Sequence, residues 1–132
     1  MIRLPLFFIE GEKMNIRKEA NCAVIESDSV VIADARSALD VLMSAKYEAG
    51  TKNIVISKKL IAEPFFVLSS GLAGEVLQKI INYGGRIATY GDYSRYTSKP
   101  LHDFIYESNK GGDVYFASSE REAISKFKKL IK

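Results

Sequence analysis

The segment Asp92-Tyr-Ser-Arg-Tyr-Thr-Ser-Lys99 concentrates side chains that could do chemistry. Arg95 and Lys99 suit a phosphate or a carboxylate, the first as a fixed fork of donors, the second as a point charge. Asp92 adds a carboxylate, Ser94, Thr97 and Ser98 add hydroxyls, and Tyr93 and Tyr96 add ring faces. A second cluster, Ser69-Ser70-Gly71-x-x-Gly74-Glu75, offers small side chains and free backbone N–H groups at a helix start. That chemistry suits an anion or the acceptance of a phosphoryl group. Each cluster also has a plainer reading. Ser70 would serve as a helix N-cap, Glu75 would complement the positive helix end, and Arg95 would be solvated or pair with Asp92. The expected ligand- or partner-binding residues are Ser69, Ser70, Asp92, Ser94, Arg95 and Lys99, gathered at one rim of a sheet. No catalytic residue is assigned.

Other polar residues point to structural work. Asp103 and Glu107 stand four apart on one helix face; paired carboxylates could bind a cation or serve as acid and base, and the plainer reading is a salt-bridged surface tied to Arg95 or Lys99. Asn109, before Lys110-Gly111, reads as a helix C-cap. His102 has no nucleophile placed beside it by sequence, so a catalytic triad is unsupported. The single histidine and single cysteine leave no Cys/His cluster for zinc. Neither a Walker loop nor G-x-G-x-x-G occurs. Neither a metal nor a cofactor is therefore expected.

The charge balance, 19 basic against 16 acidic side chains, gives a formal +3, too small an excess to argue for nucleic acid. The basic terminus Lys126-Phe-Lys-Lys-Leu-Ile-Lys132 is ordinary for a helix C-terminal end. No run reaches the ~18 apolar residues of a spanning helix, so no membrane partner is expected. The lone Cys22 points to a reducing, cytoplasmic setting and, inside an apolar strand, to an inert thiol. The apolar start, Met1 to Ile9, is interrupted by Pro5 and followed by Glu10-Gly-Glu-Lys13, which does not fit a signal peptide. Residues 1–13 read as a dispensable extension and 14–132 as one domain.

The elements that must position these clusters follow from periodicity. Ile16–Glu19 and Asn21–Glu26 form a hairpin. Asp34 caps a helix over 35–49, with a stripe of Leu39, Leu42, Met43 and Tyr47. Asn53–Ile56 is a buried strand, and Pro64 opens a short turn through Phe65 and Phe66. A helix over 72–83 buries Ala73, Val76, Leu77, Ile80 and Ile81. Arg86–Tyr90 is a strand broken by Gly91. A helix over 100–109 turns Leu101, Phe104 and Ile105 inward, and Thr97 or Ser98 caps it. Val114–Ala117 is the last strand. Ser118 or Ser119 caps the last helix, where Glu122 gives a capping-box spacing from Ser119 and Ala123, Ile124, Phe127, Leu130 and Ile131 face inward. The alternation predicts an α/β domain: a mainly parallel, mixed sheet of four to six strands, helices on both faces and an N-terminal edge hairpin.

Several segments resemble a bacterial family known only as a domain of unknown function, forty-one-eighty in that series. They are Phe65-Phe-x-Leu-Ser-Ser-Gly-Leu-Ala-Gly-Glu75, Leu77-Gln-Lys79, Asn82-Tyr83, Gly91-Asp-x-Ser94, Tyr96-x-Ser-Lys99 and Asp103-Phe-Ile-Tyr-Glu-Ser-Asn109. The likeness runs from about Met14 to the end and implies no activity. Ser69-Ser70-Gly71-Leu72, leading into a helix, with Gly85-Arg86-Ile87 leading into the next strand, also resembles the STAS domains of anti-sigma-factor antagonists. Those usually place Asp before the two serines, where this chain has Leu68. The resemblance implies a STAS-like fold and a non-catalytic, regulatory or protein-binding module. The alternative is a small flavodoxin-like enzyme or ligand-binding protein acting on an anionic, phosphate- or carboxylate-bearing small molecule.

Overall fold

The structure is a computed structural model and describes residues 14–128. The expectations for residues 1–13 and for Leu130 and Ile131 lie outside the described residues. Among the described residues, five strands form one mixed sheet in the order β1 (Met14–Glu19), β2 (Cys22–Ser27), β3 (Asn53–Ser57), β4 (Arg86–Tyr90), β5 (Val114–Ala117). β1 and β2 make the antiparallel edge hairpin, and β2 to β5 run parallel. The parallel part thus takes in β2, the second strand of the edge hairpin.

The placement of the helices follows from handedness. Helices α1 (Ala35–Ala49), α2 (Leu72–Asn82) and α3 (Lys99–Lys110) each join one parallel strand to its next neighbour, always stepping in the same direction. Right-handed crossovers that step one way put all three helices on one face. Helix α4 (Glu120–Lys128) has no strand to return to among the described residues and covers the other face. The two-residue period of the strands sorts the side chains between them. Ala23, Ile25, Ile54, Ile56, Ile87, Val114 and Phe116 face the three-helix layer. Cys22, Val24, Val55, Ala88, Tyr115 and Ala117 lie with Ala123, Ile124 and Phe127 of α4.

Helix ends show why the elements stop where they do. Asp34 Oδ1 accepts the Ser37 N–H at 2.8 Å, and the Ser37 hydroxyl oxygen accepts the Asp34 N–H at 3.0 Å, which closes a capping box on α1. Gly50, at φ 65°, ends the helix. The stripe that α1 buries is Ala38, Val41, Leu42, Ala45 and Ala49. Met43 and Tyr47 face solvent, as does Ile81 on α2, contrary to expectation. Three of the five stripe residues are alanines, and the larger Met43 and Tyr47 take outward positions. Gly85 is the matching device below: a Cβ there would stand 2.7 Å from Leu42 Cδ1 and 3.0 Å from Ile80 Cγ2.

Candidate functional site

β3 and β4 are parallel neighbours, so the segments after Ser57 and after Tyr90 emerge at the same rim. After β3 the chain makes three short helical turns, Lys58–Leu60, Glu63–Phe66 and Leu68–Ser70, before α2 begins. Phe65 and Phe66 are buried, which pins the second turn. After β4, Gly91 turns the chain into the polar loop.

That loop is anchored by its rings. Phe66 stacks on Tyr96 at 5.5 Å between centroids, with 24° between the planes, and lies 6.0 Å from Tyr93. Tyr93 also meets Phe116 edge-on at 5.6 Å and donates its hydroxyl to Thr89 Oγ1 at 3.5 Å. Burial pushes the Tyr93 phenol above its ordinary value, so it stays neutral. The Tyr96 hydroxyl donates to Glu63 Oε2 at 2.8 Å, which ties the loop to the turn before Ser69.

Most of the polar groups are already engaged. Asp92 Oδ1 accepts the Ser94 N–H at 2.9 Å. Hydrogen bonds from Ser94, side chain and then backbone, hold the Asp92 carboxyl below the usual range, with the Lys58 and Arg95 charges adding to the effect. Lys99 is the first residue of α3 and pairs with Asp103 at 2.7 Å. Ser98 caps α3 by accepting the Leu101 N–H at 3.2 Å. The Ser70 hydroxyl donates to the Pro64 carbonyl at 2.6 Å and accepts the Leu72 N–H at 3.2 Å. The N-cap position of α2 itself falls on Gly71, at φ 82°, and not on Ser70. Ser69 is exposed, and its hydroxyl has no partner among the described residues.

Arg95 is the most exposed cation of this group after Lys99, and it pairs with Glu63 at 3.9 Å instead of with Asp92. Its guanidinium carbon lies 5.5 Å from the Tyr96 ring centre. Lys58 stands beside the same ring, its Nζ 5.1 Å from the Tyr96 centroid and 5.4 Å from that of Phe66. Gly91 makes room for it: a Cβ on Gly91 would fall 2.5 Å from Lys58 Cδ.

Of the expected residues, Asp92, Ser94 and Arg95 share the loop. Ser69 and Ser70 reach it through the Glu63–Phe66 turn, and Lys99 is turned along α3. Lys58, Glu63 and Phe66 are not among the site residues that the sequence marks. The available signal was that Lys58 follows β3 directly and must therefore stand at the rim.

Two further polar features were not anticipated. Asn109 works as a backbone mimic at the edge of the sheet rather than as a C-cap: its Oδ1 accepts the Phe116 N–H at 2.8 Å and its Nδ2 donates to the Phe116 carbonyl at 3.2 Å. Gly111 takes the C-cap of α3. On the α4 side, Arg17 of β1 pairs with Glu19, Glu26 and Glu120. Tyr90 donates to Glu120 at 3.3 Å, and its phenol is raised by burial first and by the Glu120 charge next. Positions 17, 26 and 120 carry no local pattern that would have linked them.

Two concave surfaces lie away from this rim. One, of about 370 Å³, runs between α2 and α3 over Leu77, Ile81, Phe104 and Val114. The other, of about 400 Å³, lies by Lys46 and Gly50 to Asn53. Among the described residues no group of His, Cys, Asp and Glu is placed to hold a metal ion. No helix among them is long and apolar enough to cross a membrane.

A family model described as Domain of unknown function (DUF4180) matches residues 17–127. The chain belongs to this family. The match takes in both rim segments, so the Ser69–Glu75 and Asp92–Lys99 clusters are part of the DUF4180 domain. A search of curated proteins finds no match. Two solved structures are similar in fold to this DUF4180 chain. One is from Thermotoga maritima and provisionally assigned as an anti-sigma factor antagonist: 12% identical, covering 87% of this chain and 94% of that one, TM-score 0.46. The other is the anti-sigma factor antagonist SpoIIAA in its unphosphorylated form: 13% identical, covering 88% of this chain and 98% of that one, TM-score 0.42.

Proposed function

We propose that this DUF4180 protein is a non-catalytic regulatory module that acts by binding another protein through the rim carrying Ser69, Ser70, Asp92, Ser94 and Arg95. The observation that carries this reading is the state of the rim's polar groups. Asp92, Ser70 and Lys99 are engaged in internal hydrogen bonds or ion pairs, whereas Val67 is 52% exposed and Ser69 lies open beside it. An apolar side chain, a free hydroxyl and a ring-backed arginine suit a contact surface. Sheet order also supports the reading. Ligands of open α/β sheets bind in the crevice where strand order reverses, and here β2 to β5 follow one another without reversal. The buried, unpaired Cys22 fits a reducing, cytoplasmic setting.

The cations Lys58 and Arg95 favour a second reading, binding of an anionic small molecule. Affinity capture from a lysate of the source organism, with the wild type and Val67→Asp as parallel baits, tests the first. A defined partner held by the wild type and lost by the variant is the expected result. Equal recovery on both baits overturns it. A thermal shift on adding phosphosugars or nucleotides, absent from Arg95→Ala, would favour the second.

A further inference from the structure

Lys58 is held in an unusual way for a surface lysine. It is half-buried directly after β3. Two ring faces lie beside its ammonium, at 5.1 and 5.4 Å from the centroids, and the bare Cα of Gly91 lies against its stem. A lysine stem ordinarily covers apolar surface while its head reaches a carboxylate or water. Two carboxylates stand on the same rim, yet neither pairs with Lys58. Glu63 takes the Tyr96 hydroxyl and Arg95, and Asp92 takes Ser94. Among the described residues the Lys58 ammonium makes no hydrogen bond or ion pair. The ammonium therefore keeps its donors free while its stem is fixed, and Arg95 adds a second cation to the same ring.

We propose that Lys58 and Arg95, set around the Tyr96 ring, bind a carboxylate side chain of an acidic segment of the partner protein. The inference rests on the protein-contact reading above. Each cation lies within cation–π reach of the same ring, Lys58 Nζ at 5.1 Å and the Arg95 guanidinium carbon at 5.5 Å from its centroid, and that attraction offsets part of any repulsion between them. An arriving carboxylate relieves the rest. The surroundings favour a peptide over a free small anion. Val67, next to Phe66, offers exposed apolar area, and Ser69 offers a hydroxyl, both of which an extended segment can use together with its carboxylate.

The test is an NMR titration of the full chain with a capped oligoglutamate peptide at low salt, with oligoglutamine, acetate and inorganic phosphate as comparisons. Saturable shifts at Gly91, Tyr96 and the Lys58 side chain are expected with oligoglutamate and not with oligoglutamine. They should weaken as salt screens the charges. Lys58→Met keeps the stem against the rings and removes the charge, and it should weaken binding about tenfold, with Arg95→Gln weakening it severalfold. Gly91→Ala, which retains both charges but displaces the Lys58 stem, should also bind less tightly. The proposal is overturned if the wild type shows no saturable shift, or if Lys58→Met binds like the wild type. Reproduction of the full pattern by phosphate or acetate at the same concentration would also overturn it, since the site would then be one for small anions. The two readings separate in the capture experiment. A partner lost by Val67→Asp but kept by Lys58→Met leaves the contact surface standing and removes the carboxylate site; a partner lost by neither removes the contact surface itself.

Discussion

At the scale of single residues, two side chains hold backbone groups that would otherwise be left without partners. Asn109 reaches from α3 to both polar groups of Phe116 on the edge strand β5. An edge strand is a template for pairing with another chain, and this asparagine covers its middle. Asn109→Ala should lower unfolding free energy by about 1–3 kcal/mol, the cost of leaving partly buried partners unsatisfied, and should raise the tendency to self-associate. Chemical denaturation and sedimentation velocity check the two effects separately. Asp34 caps α1, and hydrogen bonds from Ser37, first its backbone N–H and then its side chain, hold the carboxyl below the ordinary value. Its folded pKa is depressed, so its stabilisation is present above the unfolded value and is lost as pH falls through the folded one. Asp34→Ala should cost about 1 kcal/mol near neutral pH. The gap from the wild type should close below about pH 4, the region of the unperturbed carboxyl. Urea melts at neutral and acid pH measure it; a gap independent of pH would show that charge has no part in the cap.

At the scale of elements, the sheet is covered unequally. Three helices crowd one face, and among the described residues α4 alone covers the other, with Ala123, Ile124 and Phe127. Phe127 is fully buried and meets Tyr115 edge-on at 5.7 Å. With so few side chains forming that layer, neighbours cannot collapse far into a void. Phe127→Ala should therefore cost about 3–5 kcal/mol, seen as a large fall in melting temperature. On the crowded face the opposite change is harmful. Gly85→Ala would drive a methyl group into the buried tips of Leu42 and Ile80. The expected loss is about 1–3 kcal/mol from overpacking, and a variant as stable as the wild type would mean that Leu42 has another rotamer open to it.

At the scale of the whole molecule, Cys22 reports on opening. It has no exposed surface, and burial, with help from the Glu19 charge, pushes its thiol up to about 11. The thiol is the unreactive form. In the native protein it should resist a disulfide reagent at mildly alkaline pH. Its modification rate should rise with denaturant in step with global unfolding, because its strand lies inside the sheet between β1 and β3. Rapid labelling without denaturant would reveal that β1 or α4 opens locally.

The sequence by itself determined the elements, their alternation and the buried face of each strand, because these depend on short-range period and on turn residues. Ile54, Ile56 and Ile87 are buried as their pattern requires, and Asp34, Ser98 and Ser119 cap helices where side-chain chemistry predicts. It also marked the Ser69 and Asp92 segments as belonging to one rim, because parallel strands joined by right-handed crossovers end on the same side. Tertiary structure decided what those segments meet there. Whether Arg95 pairs with Asp92 or Glu63, which ring Lys58 lies against, and whether Asn109 ends a helix or covers a strand all depend on chain segments far apart in sequence. Side-chain type states what a residue can bond to; only the packing of distant elements selects the partner.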